Sequence, residues 1–153
     1  MCKIVMRKLD KNLMHTALQS LLLPGEGYFG AVYAGFGRGG VLSTSAMDNR
    51  YGFLAVTNQN RLLIAQYNIL TIPLFQGALP LQALESLKIS KTMLNLYSVK
   101  MQFRAQGKTC KLACKISPKV YGMDLKEQQE NAEQLLKTLQ KWNPAKSDSA
   151  GIK

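Results

Sequence analysis

The clearest pattern in this sequence is an alternation of apolar and polar positions in two neighbouring segments, interrupted only by Ala113. In residues 98–106 every second side chain is apolar, and the alternation resumes in 109–116 after Gly107. Because successive side chains of a strand point to opposite faces of a sheet, this period of two predicts two half-buried antiparallel strands with one solvated face.

Four apolar runs upstream predict further strands. They are short, they are punctuated by Gly, Pro or Asn, and they occupy residues 28–36, 51–57, 61–67 and 69–75. The polar triplet 58–60 predicts a hairpin turn, and Pro73 restricts the last run to a sheet edge or a bend. In all, about seven short strands with frequent turns predict a barrel or a sandwich.

The N-terminal region predicts a short amphipathic helix. Asp10 is a suitable N-cap, apolar residues recur at helical spacing from Leu13 to Leu22, and Pro24-Gly25 ends the helix. We therefore divide the chain into a basic lead-in with this helix (1–23), a main domain (24–143) and a disordered tail (144–153).

A second amphipathic helix is predicted at the end of the main domain. Asp124 and Glu127 resemble a capping box, and an apolar stripe at helical spacing continues to Trp142, before Pro144. A single helix with a broad apolar stripe must cover a hydrophobic surface, and the open end of the predicted barrel is the simplest one.

Several short motifs in this framework resemble the bacterial pleckstrin-homology-like (PH-like) domain family. Leu23-Pro24-Gly25-Glu26 is similar to the lead-in before its first strand, and residues 52–64 are similar to its early hairpin. Residues 79–87 resemble a following strand, and the last helix ends in Trp142 as in that family. This chain departs from the pattern in the extra Asn60 of the hairpin and in the long polar segment 41–49.

The resemblance implies a mainly β (α+β) fold. It implies a seven-stranded, partly open antiparallel barrel, built as two orthogonal sheets and capped by the C-terminal helix, with the N-terminal helix as an addition. The fold serves lipid, peptide and protein binding alike, so the resemblance implies a binding module and no particular activity.

Composition adds limits to this picture. The 153 residues are the size of one domain, and 46% of them are hydrophobic, which is enough for a buried core. Three cysteines are too few for a disulfide framework, and we expect Cys110 and Cys114 to be two small buried residues in a reducing cytoplasm. No apolar run is long enough to span a bilayer, and Asp10 and His15 interrupt any signal peptide.

Charge is the most informative property. The chain has 20 Lys and Arg against 9 Asp and Glu, a formal net charge of +11, and no acid lies between Ser86 and Met123. The candidate anion-binding residues are six cations of this stretch and one of the glycine-rich loop: Lys88, Lys91, Lys100, Arg104, Lys111, Lys115 and Arg38.

The alternation places four of these cations on one face of two strands about 4.8 Å apart, where like charges destabilise a sheet. Two explanations stay open at this point. Either the cations are compensated within the protein by the acids of the last helix or serve only its solubility, or an anionic partner binds this face.

Other chemistry finds little support. Gly35, Gly37 and Gly40 spell G-x-G-x-x-G, but no helix follows, which argues against a dinucleotide site. His15 is the only histidine, so a His-based triad or metal site lacks partners. We expect no enzyme activity, no metal and no cofactor.

Three functions are therefore considered. The first is a non-enzymatic module whose basic sheet face binds an anionic partner, either lipid headgroups at the membrane periphery or an acidic protein. The second is a protein-interaction or homo-oligomeric assembly module that uses sheet edges or the first helix. Nucleic-acid binding ranks third, because aromatic stacking residues are missing among the cations of the face.

Overall fold

The computed structural model describes residues 11–36, 50–67, 72–91, 97–116 and 128–143. These residues form two helices, seven strands and one turn of 3-10 helix at Leu81–Ala83. In chain order the helices and strands are α1 (Lys11–Ser20), β1 (Tyr28–Phe36), β2 (Arg50–Thr57), β3 (Arg61–Tyr67), β4 (Pro73–Pro80), β5 (Leu84–Lys91), β6 (Tyr97–Ala105), β7 (Lys108–Ile116) and α2 (Gln128–Lys141). This is the predicted order of elements.

The seven strands form an antiparallel sheet in the order β4-β3-β2-β1-β7-β6-β5. Strand β1 joins its two halves: it pairs with β2 along most of its length, but it pairs with β7 only at Gly35 and Phe36. The sheet therefore consists of a first half, β4-β3-β2-β1, and a second half, β7-β6-β5. This architecture confirms the predicted PH-like fold class.

Helix α2 fills the opening beside β1. Its apolar stripe packs into the core with inward-facing residues of both halves, through the buried side chains of Ala132, Leu135, Leu136 and Leu139. The helix comes so close to β1 that a Cβ on Gly30 would lie 3.1 Å from the Leu135 backbone nitrogen, and Gly30 has a φ of +64°. Only glycine meets both conditions without strain.

Two amide side chains of α2 take the place of a neighbouring strand for β1. Gln128 donates to the carbonyl of Tyr33 at 3.0 Å and accepts from the Tyr33 N–H at 3.1 Å. Asn131 donates to the carbonyl of Ala31 at 3.0 Å. These bonds satisfy backbone groups on the edge of β1 that no strand covers, which buried backbone requires.

Helix α1 covers the outer side of the first half-sheet. Its Met14, Ala17 and Leu18 pack against a second apolar cluster that includes Phe53 and Leu63. Strands β2 and β3 are therefore buried on both faces, which explains why their sequences are continuously apolar instead of alternating.

Three sequence-based expectations are corrected. The strand expected at 69–75 is β4, which begins at Pro73 and continues to Pro80, because a proline is tolerated at the first position of an edge strand. The strand expected at 79–87 is divided: Pro80 ends β4, the 3-10 turn follows, and β5 begins at Leu84.

The third correction concerns Cys110, which is exposed, whereas Cys114 is buried as expected. The first four residues of β7 are all exposed, since the β6–β7 hairpin leaves the core before its turn. The expected helix caps at Asp10, Asp124 and Glu127, the segment 41–49 and the tail 144–153 lie outside the described residues.

Candidate anion-binding face

The second half-sheet presents one face to the core and the other to solvent. On β6 the buried residues Val99, Met101 and Phe103 alternate with outward-facing residues, and β7 repeats this with Leu112, Cys114 and Ile116. The outward-facing side carries five exposed cations, and we refer to it as the basic face: Lys88, Lys100, Arg104, Lys111 and Lys115.

The register brings two lysines of this face directly opposite each other. Lys88 of β5 pairs with Lys100 of β6, and Lys111 of β7 pairs with Gln102 in the next outward-facing row. Residues in such cross-strand pairs have Cβ atoms about 5 Å apart, and like charges placed directly opposite each other destabilise a sheet. The Lys88–Lys100 pair is therefore expected to lower the stability of the sheet locally.

A single acid of the described strands reduces the charge of the basic face. Glu85 on β5 receives a hydrogen bond from the Gln102 amide at 3.0 Å and an ion pair from Arg104 at 3.6 Å. The Arg104 side chain stays 66% exposed and that of Glu85 34% exposed, so solvent screens this contact. The other four cations of the face have no acidic partner in the described part of the chain.

Lys91 and Arg38 do not join this group in the structure. Lys91 lies opposite Tyr97 at the end of β5, on the side of the sheet that faces the core, and its Nζ is 5.8 Å from the centre of the Tyr97 ring. This cation–π contact occupies its ammonium away from the basic face. Arg38 lies outside the described residues.

The acids of α2 do not neutralise the basic face. The helix packs into the core on the inner side of the sheet, whereas the cations point outward from the opposite side. Glu130 and Glu133 are exposed, and no ion pair joins them to a strand lysine within the described residues. The explanation by internal compensation therefore finds no support in the described part of α2.

A different charge pair is buried and fully satisfied. Glu26, whose side chain is completely inaccessible, accepts hydrogen bonds from the Leu23 N–H at 2.9 Å, the Thr57 hydroxyl at 2.7 Å and the Arg61 guanidinium at 2.6 Å. Arg61 also donates to the carbonyl of Leu21 just beyond α1, at 3.3 Å.

Opposing effects act on the pKa of Glu26. Burial raises it, but the hydrogen bonds from Leu23 and Thr57 and the charge of Arg61 outweigh burial and hold the pKa below its ordinary value of 4.5. The group ties the Leu23–Glu26 motif to the β2–β3 hairpin, so its role is structural. The motifs themselves do not reveal this contact; the one local signal in the sequence is that Glu26 is the single acid between Asp10 and Asp48.

Within the described residues, the remaining candidate groups do not assemble into a reactive site. His15 is exposed on α1, with its Nδ1 2.8 Å from the Tyr28 hydroxyl, on a shallow groove of about 430 Å³. Burial raises the pKa of the Cys114 thiol to about 12. Among the described residues no cluster of three or more His, Cys, Asp and Glu could hold a metal ion.

No helix within the described ranges has both the length and the apolar character needed to cross a bilayer.

Comparison with known proteins bears on the fold. No protein-family model and no curated protein matches this sequence. Among solved structures, the chain is similar to the hSac2 domain from human phosphoinositide phosphatase Sac2, with a TM-score of 0.55 and 13% identity over 86% of this chain and 79% of that one. At this identity the match speaks for the fold alone, and together with the strand order it shows that the chain has a PH-like fold.

Proposed function

We propose that this protein is a non-enzymatic binding module whose basic face docks on an anionic membrane surface and contacts lipid headgroups there. The observation that carries the proposal is the Lys88–Lys100 pair, two lysines directly opposed on neighbouring strands, neither of which forms an ion pair with an acid of the described residues. A cross-strand repulsion of this kind destabilises the free protein, and an anionic group bound over the pair removes it.

The shape of the face favours lipid as the partner. Five cations project from three adjacent strands of one sheet, which suits a planar array of headgroups. No aromatic side chain of the described strands points outward among them, so bases of a nucleic acid would find no stacking platform. The similar hSac2 domain belongs to a phosphoinositide phosphatase, which makes phosphorylated lipids the first probe to choose.

The expected affinity gain follows from the number of free cations. A Lys or Arg near an anionic membrane contributes about 1 kcal/mol, or roughly fivefold in binding. Four unpaired lysines therefore predict a preference of about 10³-fold for anionic over neutral vesicles at low salt. Raising the ionic strength shortens the Debye length to a few ångströms and should abolish that preference.

The test is co-sedimentation with vesicles that contain phosphatidylserine or a phosphoinositide, with pure phosphatidylcholine vesicles as reference. Lys88→Gln/Lys100→Gln should weaken binding about 30-fold, because two charges are lost. The control Lys137→Gln/Lys141→Gln removes the same charge from exposed positions of α2 and should bind as the parent does.

A second readout separates binding from a structural role. Since the lysine pair repels itself, Lys88→Gln/Lys100→Gln should leave the melting temperature unchanged or raise it. If the parent does not bind anionic vesicles at low salt, the proposal is refuted. Equal losses in the strand and α2 variants would show that net charge alone acts, which refutes the basic face as the site.

A further inference from the structure

The longest stretch of this sequence without a charge coincides with an exposed strand. Residues 62–84 contain no Lys, Arg, Asp or Glu, although the whole chain carries 29 charged residues, 20 basic and 9 acidic. The part of this stretch in β3 is buried on both faces, which explains its composition. Burial does not explain β4, whose first four residues are all exposed.

Strand β4 is one of the two edges of the sheet, and it presents large apolar side chains to solvent. Leu74 and Phe75 are each 45% exposed, and Ile72, just before the strand, is 51% exposed. No other strand of the described chain pairs with the outer edge of β4. An edge that is long, uncharged and apolar is a template for pairing with another strand.

The opposite edge of the same sheet shows how this protein protects a strand that stays unpaired. Strand β5 carries Glu85, Lys88 and Lys91, and charged side chains on an edge oppose pairing. Strand β4 has no charged residue; Pro73 and Pro80 lie at its two ends, and its pairing with β3 shifts register beside Leu74. Beyond this irregularity, the edge of β4 carries none of the charges that protect β5, and no strand of the described residues covers it.

We infer that β4 is a dimerisation edge, on which β4 of a second copy of this chain pairs antiparallel about a twofold axis. Such an interface is self-complementary, because the same uncharged residues meet on both sides. Each copy has a net charge of +11, so two copies can approach closely only where cations are absent. Strand β4 provides that place, and the basic face lies in the other half-sheet.

A bilayer is a less suitable occupant of this edge. The outer backbone N–H and C=O groups of an edge strand have no partner in hydrocarbon, and each unpaired group costs several kcal/mol there. A second β4 strand offers those groups hydrogen bonds and covers Leu74 and Phe75 at the same time. One strand pair buries less than a standard protein interface, so the dimer is expected to be weak.

The first experiment measures the mass of the full chain by light scattering and sedimentation over a range of concentrations. The 17.0 kDa chain should shift from monomer to dimer as its concentration rises. Leu74→Lys and Phe75→Lys should each raise the dissociation constant about tenfold or more, because each places a lysine on the uncharged edge and adds to the repulsion between two copies of charge +11. The control Ser90→Lys adds the same charge to the other edge and should leave dimerisation unchanged.

The salt dependence of dimerisation provides an independent test of the inference. Screening reduces the repulsion between two copies of charge +11, so higher ionic strength should strengthen the dimer while it weakens binding to anionic vesicles. The two proposals can therefore fail separately.

The second experiment locates the pair by cross-linking and does not depend on a change in affinity. In a background with Cys2→Ser and Cys110→Ser, Gln76→Cys near the middle of β4 should give a covalent dimer with a short thiol cross-linker, and Ser90→Cys on β5 should not. A monomer at all concentrations up to about 1 mM overturns the inference. A dimer whose dissociation constant is unchanged by Leu74→Lys and Phe75→Lys also overturns the inference. A monomer that binds neutral vesicles through Phe75 would overturn it as well.

Discussion

Removal of the Arg61 guanidinium should destabilise the fold, most strongly at a pH where the Glu26 carboxylate is ionised. Arg61→Met keeps most of the aliphatic length of the side chain but leaves the Glu26 carboxylate buried without its charged partner. Breaking a buried ion pair from one side typically costs about 3–5 kcal/mol. We expect about 3 kcal/mol here, at the lower end, because 21% of the Arg61 side chain remains exposed to solvent.

The dependence on pH follows from the pKa of Glu26. In the parent protein the folded-state pKa lies below the unfolded value, so the carboxylate stabilises the fold above pH 4.5 and this contribution is lost as the pH falls through the folded pKa. Without Arg61, the pKa of Glu26 rises, because a positive charge and a hydrogen bond that lower it are lost while burial still raises it. Protonation then relieves the buried charge, so the deficit of Arg61→Met should shrink as the pH falls from 7 to 4.5.

Urea denaturation followed by circular dichroism at both pH values measures this deficit. The double variant Glu26→Gln/Arg61→Met is the control, since it leaves no buried charge and should recover much of the lost stability. A loss of unfolding free energy below about 1 kcal/mol at pH 7 would contradict the burial of this ion pair, since a loss of that size is expected for an exposed pair. A loss that is the same at pH 7 and pH 4.5 would contradict the proposed role of Glu26 ionisation.

Two further predictions concern the core. Gly30→Ala should lower the free energy of unfolding by about 2 kcal/mol or more, since alanine is strained at a φ of +64° and its Cβ would press on the Leu135 backbone. Chemical denaturation measures this change. Unchanged stability would contradict the close approach of α2 to β1. Cys114 should resist alkylation in the native state, because burial raises the pKa of its thiol to about 12, whereas the exposed Cys110 should react. Mass spectrometry of peptides after a short iodoacetamide pulse distinguishes the two cysteines. Equal labelling would contradict this prediction and show that the core opens readily.

The elements could be predicted wherever their signal is local. Alternation in 98–106 and 109–116 gave β6 and β7 to within a residue, and Tyr28–Phe36 and Arg61–Tyr67 are the strands expected there. Strand β4 was misplaced, because its partner β3 determines its bounds as much as its own residues do: Tyr67 pairs with Pro73 and Arg61 with Pro80.

The site could be predicted only in part, for the same reason. Alternation alone places Lys100, Arg104, Lys111 and Lys115 on one face, but only the register sets Lys88 opposite Lys100 and turns Lys91 toward Tyr97. The position of α2 on the inner side of the sheet is likewise a matter of tertiary packing.

By itself, the sequence determined the periodicities, the excess of cations and the uncharged stretch 62–84, because these are properties of neighbouring residues. Tertiary structure decided which groups meet across the chain. Glu26 and Arg61 are 35 residues apart and Gln128 is 95 residues from Tyr33, and no local pattern encodes such contacts. Burial of both faces of β2 and β3, and exposure of β4 at an edge, also depend on where the chain places its neighbours.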